Sequence, residues 1–301
     1  MKKETVCAVV VTYNRKELLI ECLEALLKQT ILLDTIYIID NASTDGTPEL
    51  LKEKGFIQEL PPKELDKPWE KKFKKDNLAI SYVRMNENTG GAGGFHEGVK
   101  RAYEKGYDWF WLMDDDVEAK EDALEKLLKL KHFSSCIHPI KKYLNGEVFN
   151  WNGYICDKYG VIVTKKVNFK DKNFCCVNYG CFEGMFINRK VVSKIGYPKK
   201  EFFLAGDDAY YGYLASNFTN VIYTDKAEFI KKIKKTKKSK MYIYYVNRNF
   251  TYFLMQISQK KWFTFFHRLF IAIYYGFKYK TFVSIKGFLD GVRGKFDLYS
   301  D

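Results

Sequence analysis

A chain of 301 residues with 47% hydrophobic and 29% charged residues is long enough to bury a large core and too apolar to be disordered. Seven cysteines, odd in number and with no CxxC pair, argue against a disulfide framework or a structural zinc site and read as reduced thiols of a cytosolic protein. The net charge of +13 sits at one end: from Lys226 onward 17 lysines and arginines face 4 acids, while the residues before it balance at 33 of each.

Thr5 to Thr12 predicts a short buried strand, because the apolar run after Met1-Lys2-Lys3-Glu4 is too short for a signal peptide. Arg15 to Gln29 places Leu18, Leu19, Cys22, Leu23, Leu26 and Leu27 on one helical face, and Asp34 to Asp40 predicts a second strand. Short connections between these elements predict parallel pairing with a right-handed crossover. The two strand ends carry Thr12-Tyr13-Asn14-Arg15 and Asp40-Asn41-Ala42-Ser43-Thr44-Asp45-Gly46-Thr47, and open α/β sheets bind ligands at such ends. Asp40 could accept hydrogen bonds from a ribose or a base edge, while Ser43 to Gly46 also reads as a turn capping a helix over Thr47 to Lys54.

Gly55 to Asn77, with Pro61-Pro62, Pro68 and many charges, predicts a mobile surface excursion. Leu78 to Met85 predicts a third strand leading into Asn86-Glu87-Asn88-Thr89-Gly90-Gly91-Ala92-Gly93-Gly94-Phe95. Four glycines in five residues permit close backbone approach and leave amides free for phosphate at the start of a helix over Phe95 to Lys105. The spacing is not a clean G-x-G-x-x-G and follows the third strand, which argues against a dinucleotide-dependent dehydrogenase.

A fourth strand over Tyr107 to Val117 runs through Trp109-Phe110-Trp111-Leu112-Met113 into Asp114, Asp115 and Asp116. Adjacent carboxylates repel unless a cation lies between them, and hard oxygen ligands favour magnesium or manganese. The alternative is an acidic turn at the positive end of a helix over Ala119 to Lys131.

Taken together, Val9 to Arg15, Ile39 to Thr47, Asn88 to Phe95 and Trp111 to Val117 resemble the family 2 glycosyltransferases of GT-A fold, and more narrowly the bacterial galactofuranosyltransferase and rhamnosyltransferase branch. The resemblance implies an α/β fold with a Rossmann-like, mostly parallel sheet and a C-terminal helical extension. It implies that Asp114 and Asp116 bind Mn2+ or Mg2+ and the donor diphosphate, with Asp115 adjacent. Thr12, Asn14, Asp40 and Asn88 would hold the nucleotide, and Gly90 and Gly91 the donor-sugar side.

Asn145-Gly146 signals a hairpin, and Val148 to Val163 predicts short antiparallel strands walling an acceptor pocket, with Trp151 a sugar platform or an ordinary core tryptophan. Phe202 to Gly212 then presents a second acid pair, Asp207-Asp208, at a helix start. Inverting sugar transfer needs one carboxylate to take the acceptor proton while a metal steadies the departing diphosphate. The resemblance makes Asp208 that base, supported by Asp207, and gives Glu183 a contact with the acceptor.

Three positions depart from the family pattern. Tyr210 stands where relatives often carry an acid and Leu214 where they carry an arginine, and no histidine lies in Ala227 to Lys232, where a metal ligand is usual. Metal binding could rest on carboxylates, water and diphosphate alone, Lys231 or Lys232 could neutralise the leaving group, or activity could be lost. Tyr242 to Asn249 again resembles the family through its tyrosine, arginine and asparagine cluster.

The basic, aromatic end suits an anionic membrane surface, though nucleic acid would also be attracted and a solvated lysine face over a buried aromatic one is the plainer reading. No charge-free apolar run reaches the ~18 residues of a spanning helix. The sequence predicts a GT-A catalytic domain over 1–225 and a helical extension over 226–301, peripheral at the inner face of the cell membrane. The expected reaction is inverting, metal-dependent transfer of rhamnose or galactofuranose from a UDP- or dTDP-linked donor to a growing, lipid-linked glycan, with no nucleic-acid partner. A catalytically silent sugar-nucleotide-binding or scaffolding subunit is the alternative.

Overall fold

In the computed structural model, which describes residues 3–149, 154–164, 169, 173–234 and 238–300, β1 (Val6–Thr12) is buried along its whole length. A strand covered on both faces needs no polar alternation, which is why Val6-Cys7-Ala8-Val9-Val10-Val11 reads as a continuous apolar run. The chain crosses through α1 (Lys16–Leu27) to β2 (Thr35–Asp40), which lies parallel to β1. A short α2 (Thr47–Glu53) follows, starting after Gly46 in the left-handed conformation.

The expected loop over Gly55 to Asn77 contains β3 (Trp69–Lys75), an edge strand antiparallel to β4 (Leu78–Arg84). Asp76 and Asn77 both take positive φ, 48° and 68°, which is the two-residue turn that a tight hairpin needs. Its lysines kept β3 from looking like a strand; on an exposed edge they block further pairing. Next come α3 (Gly90–Lys105), β5 (Trp109–Asp114) parallel to β1, and the short β6 (Val117–Ala119). Helix α4 (Ala123–Lys129) begins only after β6, so the aspartates are not its cap.

The second half inserts β7 (Cys136–Tyr143), a small hairpin of β8 (Tyr154–Cys156) and β9 (Ile162–Thr164), β10 (Cys175–Val177) and β11 (Met185–Asn188). These are followed by α5 (Arg189–Ile195), α6 (Asp207–Ser216) and β12 (Val221–Lys231). The strand order is β10-β12-β7-β11-β5-β1-β2-β4-β3, with β6 also on β12. Leu19, Leu23 and Leu26 of α1 pack with Trp111 and Met113 on one face of the sheet. Phe95, Val99 and Ala102 of α3 pack with Val9, Val11 and Leu112 on the other.

The chain closes with α7 (Lys240–Ile257), α8 (Lys261–Tyr279) and α9 (Val283–Arg293). Gly287 and Gly291 let α9 lie directly on α7, since a Cβ at either position would strike the carbonyl of Tyr244 or Arg248. The expected division between residues 225 and 226 falls inside β12, a strand built into the sheet; any change of character in the chain begins after Lys231.

Candidate active site

The parallel register brings the predicted strand ends to one rim: Thr12 pairs with Asp40, and Val11 with Asp114. The antiparallel strands add two further groups. Lys231 lies opposite Val117 across the β12–β6 ladder, which sets its ammonium beside Asp116. Glu183 comes from the turn before β11, anchored where Gly184 N–H donates to the Leu112 carbonyl at 2.8 Å.

Carboxylate oxygens of Asp114, Asp116 and Glu183 lie within 4.8 Å of one another. Lys231 Nζ donates to Glu183 Oε1 at 2.6 Å and to both oxygens of Asp116 at 3.1 and 3.2 Å. Lys141 Nζ, fully buried on β7, donates to Glu183 Oε2 at 2.7 Å and to Cys181 Sγ at 2.8 Å. Arg15 Nη1 reaches Asp115 Oδ1 at 3.1 Å and Asp116 Oδ2 at 3.3 Å, and Thr12 Oγ1 donates to Asp115 Oδ2 at 2.7 Å.

These contacts sort the acids by charge state. Burial alone would raise the Glu183 pKa, but Lys141 and Lys231 outweigh it and hold that carboxyl at about 2. Asp114 is pushed up to about 7, by burial first and then by Glu183 and Asp116. Lys231 stays protonated despite burial, because Glu183 and Asp116 flank it.

Four carboxylates here meet three cations, and Asp207 and Asp208 add two more acids in the same cleft. Three oxygen donors within bridging distance and an excess of negative charge fit a divalent magnesium- or manganese-like ion. Lys231 already supplies one positive charge near where the resemblance would place a histidine. Lys232 instead pairs with Glu21 and Glu118 outside the cluster.

A cleft of about 300 Å³ opens over this cluster, lined by Asp114, Glu183 and Lys231 together with Asp207 and Asp208, and with Gly91, Phe149 and Tyr242. Asp208 stands in the first turn of α6 and accepts from Ala209 N–H at 2.7 Å. Burial, and then Glu183, push its pKa up to about 6 against that hydrogen bond; burial and Asp208 push that of Asp207 well above the usual carboxylate range. A carboxyl near 6 is ionised at neutral pH yet basic enough to take a proton.

The other predicted residues take varied places. Asn14, at φ 53°, accepts from Thr44 N–H at 2.6 Å and donates its own backbone N–H to Ser43 Oγ at 3.0 Å, tying the two strand-end loops together. Asp40 turns inward: fully buried, it accepts from Ser43 N–H, Tyr82 O–H and Arg84 at 2.6 to 2.8 Å, so it shapes the loop from beneath. Exposed Asn88 accepts from Gly90 N–H and from Asn41 Nδ2, both at 2.9 Å.

The glycine stretch is not a free loop but the opening of α3. Gly94 is needed because a Cβ would lie 2.5 Å from Val11 Cγ1, and Gly90 because one would strike the Phe203 carbonyl at a φ of 71°. Gly91 has open space above it and lines the cleft. Glu183, expected at the acceptor, stands inside the cation cluster. Trp151 lies outside the described residues. The β8–β9 hairpin, expected to wall the pocket, instead packs Cys156 and Ile162 with Phe253 and Leu254 of α7, and the wall comes from Tyr143 and Phe149. Tyr210 stacks on Phe202 with ring centroids 5.7 Å apart, an aromatic packing role in place of an acid.

Sequence reasoning missed how the acid pair is held. Arg248, fully buried, donates to the carbonyls of Glu201 and Phe202 at 2.9 and 3.0 Å, and Asn249 Nδ2 reaches those of Phe202, Leu204 and Ala205 at 2.7 to 2.9 Å. They clamp a loop in which Phe203, Ala205 and Gly206 all take positive φ, and Phe203 O accepts from Ala92 N–H at 3.2 Å. The resemblance at Tyr242 to Asn249 was the available signal. Arg15 and the buried Asn41, which joins the end of β2 to Thr89 and Gly90, lay inside quoted motifs with no role given to them, and Lys141 carried no signal.

The family profile described as "Glycosyl transferase family 2" matches residues 7–196. Galactofuranosyltransferase GlfT1 of Mycolicibacterium smegmatis is 35% identical over 133 residues, 44% of this chain and 37% of that protein. GlfT1 of Mycobacterium tuberculosis (strain CDC 1551 / Oshkosh) is 35% identical over 118 residues, 39% of this chain and 32% of that protein. The matched stretch thus spans about a third of these relatives' length. In three dimensions the chain is similar to S. aureus TarS 1-349 in complex with UDP, at TM-score 0.55 and 14% identity over 87% of this chain and 68% of that one. It is also similar to GalNAc-T7 with UDP, GalNAc and Mn2+, at TM-score 0.63 and 13% identity over 84% and 48%. The fold is the expected GT-A one, and with most of its length matched by the profile and its acid motifs gathered around one cleft, the chain belongs to glycosyl transferase family 2.

Proposed function

We propose that the cleft transfers one sugar, with inversion, from a nucleotide diphosphate donor to a hydroxyl of a growing glycan. The observation that carries this reading is that the cation-seeking cluster and the Asp207–Asp208 pair, far apart in sequence, line one cleft. Asp208 takes the acceptor hydroxyl proton as that oxygen bonds to the anomeric carbon. The bond from that carbon to the diphosphate breaks with its electron pair, and the nucleoside diphosphate departs. A divalent cation held by Asp114 and Asp116, with Glu183 in reach, would supply charge neutralisation to the diphosphate.

Lys231 and Arg15 add fixed positive charge beside the same acids. Gly91 offers unobstructed backbone at the cleft, and Phe149 and Tyr242 offer aromatic faces to a sugar ring. The likeness to galactofuranosyltransferases favours galactofuranose ahead of rhamnose as the donor sugar, and the UDP bound by TarS and GalNAc-T7 favours UDP ahead of dTDP; a lipid-linked acceptor is part of the same proposal.

Isothermal titration of UDP- and dTDP-sugars with manganese, on wild type and Asp116→Ala, tests the donor site. Metal-dependent binding of one donor class, lost in the variant, is expected. A chain that binds no nucleotide with or without metal would leave only a scaffolding role.

A further inference from the structure

Helix α8 turns its largest apolar side chains away from the protein. Its inner face is Thr264, Arg268 and Ala272, all buried. Its outer face carries Trp262, Phe266, Phe270, Ile273 and Phe277, with Phe263 and Tyr274 alongside, and at 3.6 residues per turn these seven fall within an arc of about 120°. Trp262 is 76% exposed, Phe270 70% and Phe277 82%, and Phe282 just beyond the helix is 90% exposed. A surface helix ordinarily turns polar residues outward, and a continuous apolar strip of this kind marks an interaction surface.

The surrounding charge selects the partner. Residues 229–289 contain no aspartate or glutamate, and exposed lysines frame the strip at Lys260 and Lys261 on one end and Lys278, Lys280 and Lys286 on the other. Trp, Tyr and Phe side chains bordered by lysines, with no acid among them, match an anionic lipid interface. A second copy of the chain would bring like charges together across the same face. No helix among the described residues is long and apolar enough to cross a membrane, so α8 would lie in the plane of the surface.

We propose that the outer face of α8 docks on an anionic lipid bilayer. The docked helix stands near the cleft: Lys238 Nζ contacts the Tyr275 hydroxyl of α8 at 3.3 Å and lies 5.7 Å from the ring centre of Tyr242, which lines the cleft. Docking would therefore hold the cleft rim close to lipid headgroups, whatever sugar is transferred.

The test is co-sedimentation of the full chain with vesicles of phosphatidylglycerol and phosphatidylcholine, against phosphatidylcholine alone. Binding to the anionic vesicles is expected, at least tenfold weaker on the neutral ones. The triple variant F266S/F270S/F277S should lose at least tenfold in affinity with an unchanged circular dichroism spectrum. K278E/K280E should lose about fivefold or more per lysine replaced. In wild type, lipids brominated along the acyl chain should quench tryptophan fluorescence through Trp262. Equal binding to neutral vesicles, an unaffected triple variant, or absent quenching would overturn the proposal. So would a solution dimer that the triple variant converts to monomer, which would assign the face to a second copy. None of these readouts depends on sugar transfer, so they fail or succeed apart from it.

Discussion

Asp208 and Glu183 show how one cleft can hold carboxyl groups in opposite states. Two ammonium groups keep Glu183 ionised, whereas at Asp208 burial and Glu183 outweigh Lys141 and push the pKa up to about 6. If Asp208 is the base, its working form is the ionised one, so turnover should rise as pH passes upward through about 6 and level off above it. A rate profile falling over that range would remove it from the role. Asp208→Asn should lower turnover by roughly 10²–10⁴-fold with donor affinity within about twofold of wild type, measured by single-turnover kinetics and titration. Lys231 makes a separate claim. Lys231→Ala leaves Asp116 and Glu183 facing each other, which should cost about 3–5 kcal/mol without metal. Manganese should then raise the melting temperature of the variant more than that of wild type; an equal rise would mean that no cation is held there. The carboxylates themselves were legible because acids at the end of an apolar strand are conspicuous. The ion pairing of Glu183 was not, since Lys141 and Lys231 reach it only through the pairing of β7, β11 and β12.

Among the elements, α3 and α7 help to position the acids of the cleft without supplying any of them. Gly94→Ala drives a methyl against Val11 where helix and strand already touch, and should destabilise by about 1–3 kcal/mol in a denaturation experiment. A stable variant would show that α3 can shift outward at little cost. The clamp from α7 predicts a different phenotype. Asn249→Ala strips hydrogen bonds from three carbonyls of the loop before Asp207, costing about 1–3 kcal/mol, and should lower turnover although Asn249 is buried away from solvent. Full activity in a destabilised variant would confine the clamp to stability. Continuous apolar runs and turn residues made β1, β2, β4 and β5 readable. They failed at β3, whose lysines mimic a loop, and at the start of α3, where four glycines suggest a turn although close packing requires three of them, Gly90, Gly93 and Gly94, inside the helix.

For the molecule as a whole, the last quarter of the chain is tied to the cleft at two points. β12 carries Lys231 into the acid cluster, and α7 grips the loop that presents Asp207 and Asp208. A truncation that removes residues 240–301 should therefore be insoluble or lack a cooperative thermal transition. A soluble fragment with a sharp transition and intact donor binding would show that the helices are an appended unit.

The sequence by itself determined the family and pointed to the rim where its motifs meet, because strand ends and short motifs are local features and their order along the chain is specific. It also located the excess positive charge, which is a matter of counting. Only the tertiary structure decided which acids share a cleft, that Asp40 faces inward, that Lys231 rather than Lys232 enters the cluster, and that the aromatic face of α8 is exposed. Each of these depends on register between strands distant in sequence or on which side of a helix another element covers. An amphipathic pattern marks two faces of a helix, but with Thr264, Arg268 and Ala272 buried, Arg268 on Thr251 of α7 and Phe265 on Phe288 of α9, it is the aromatic face that is left outside.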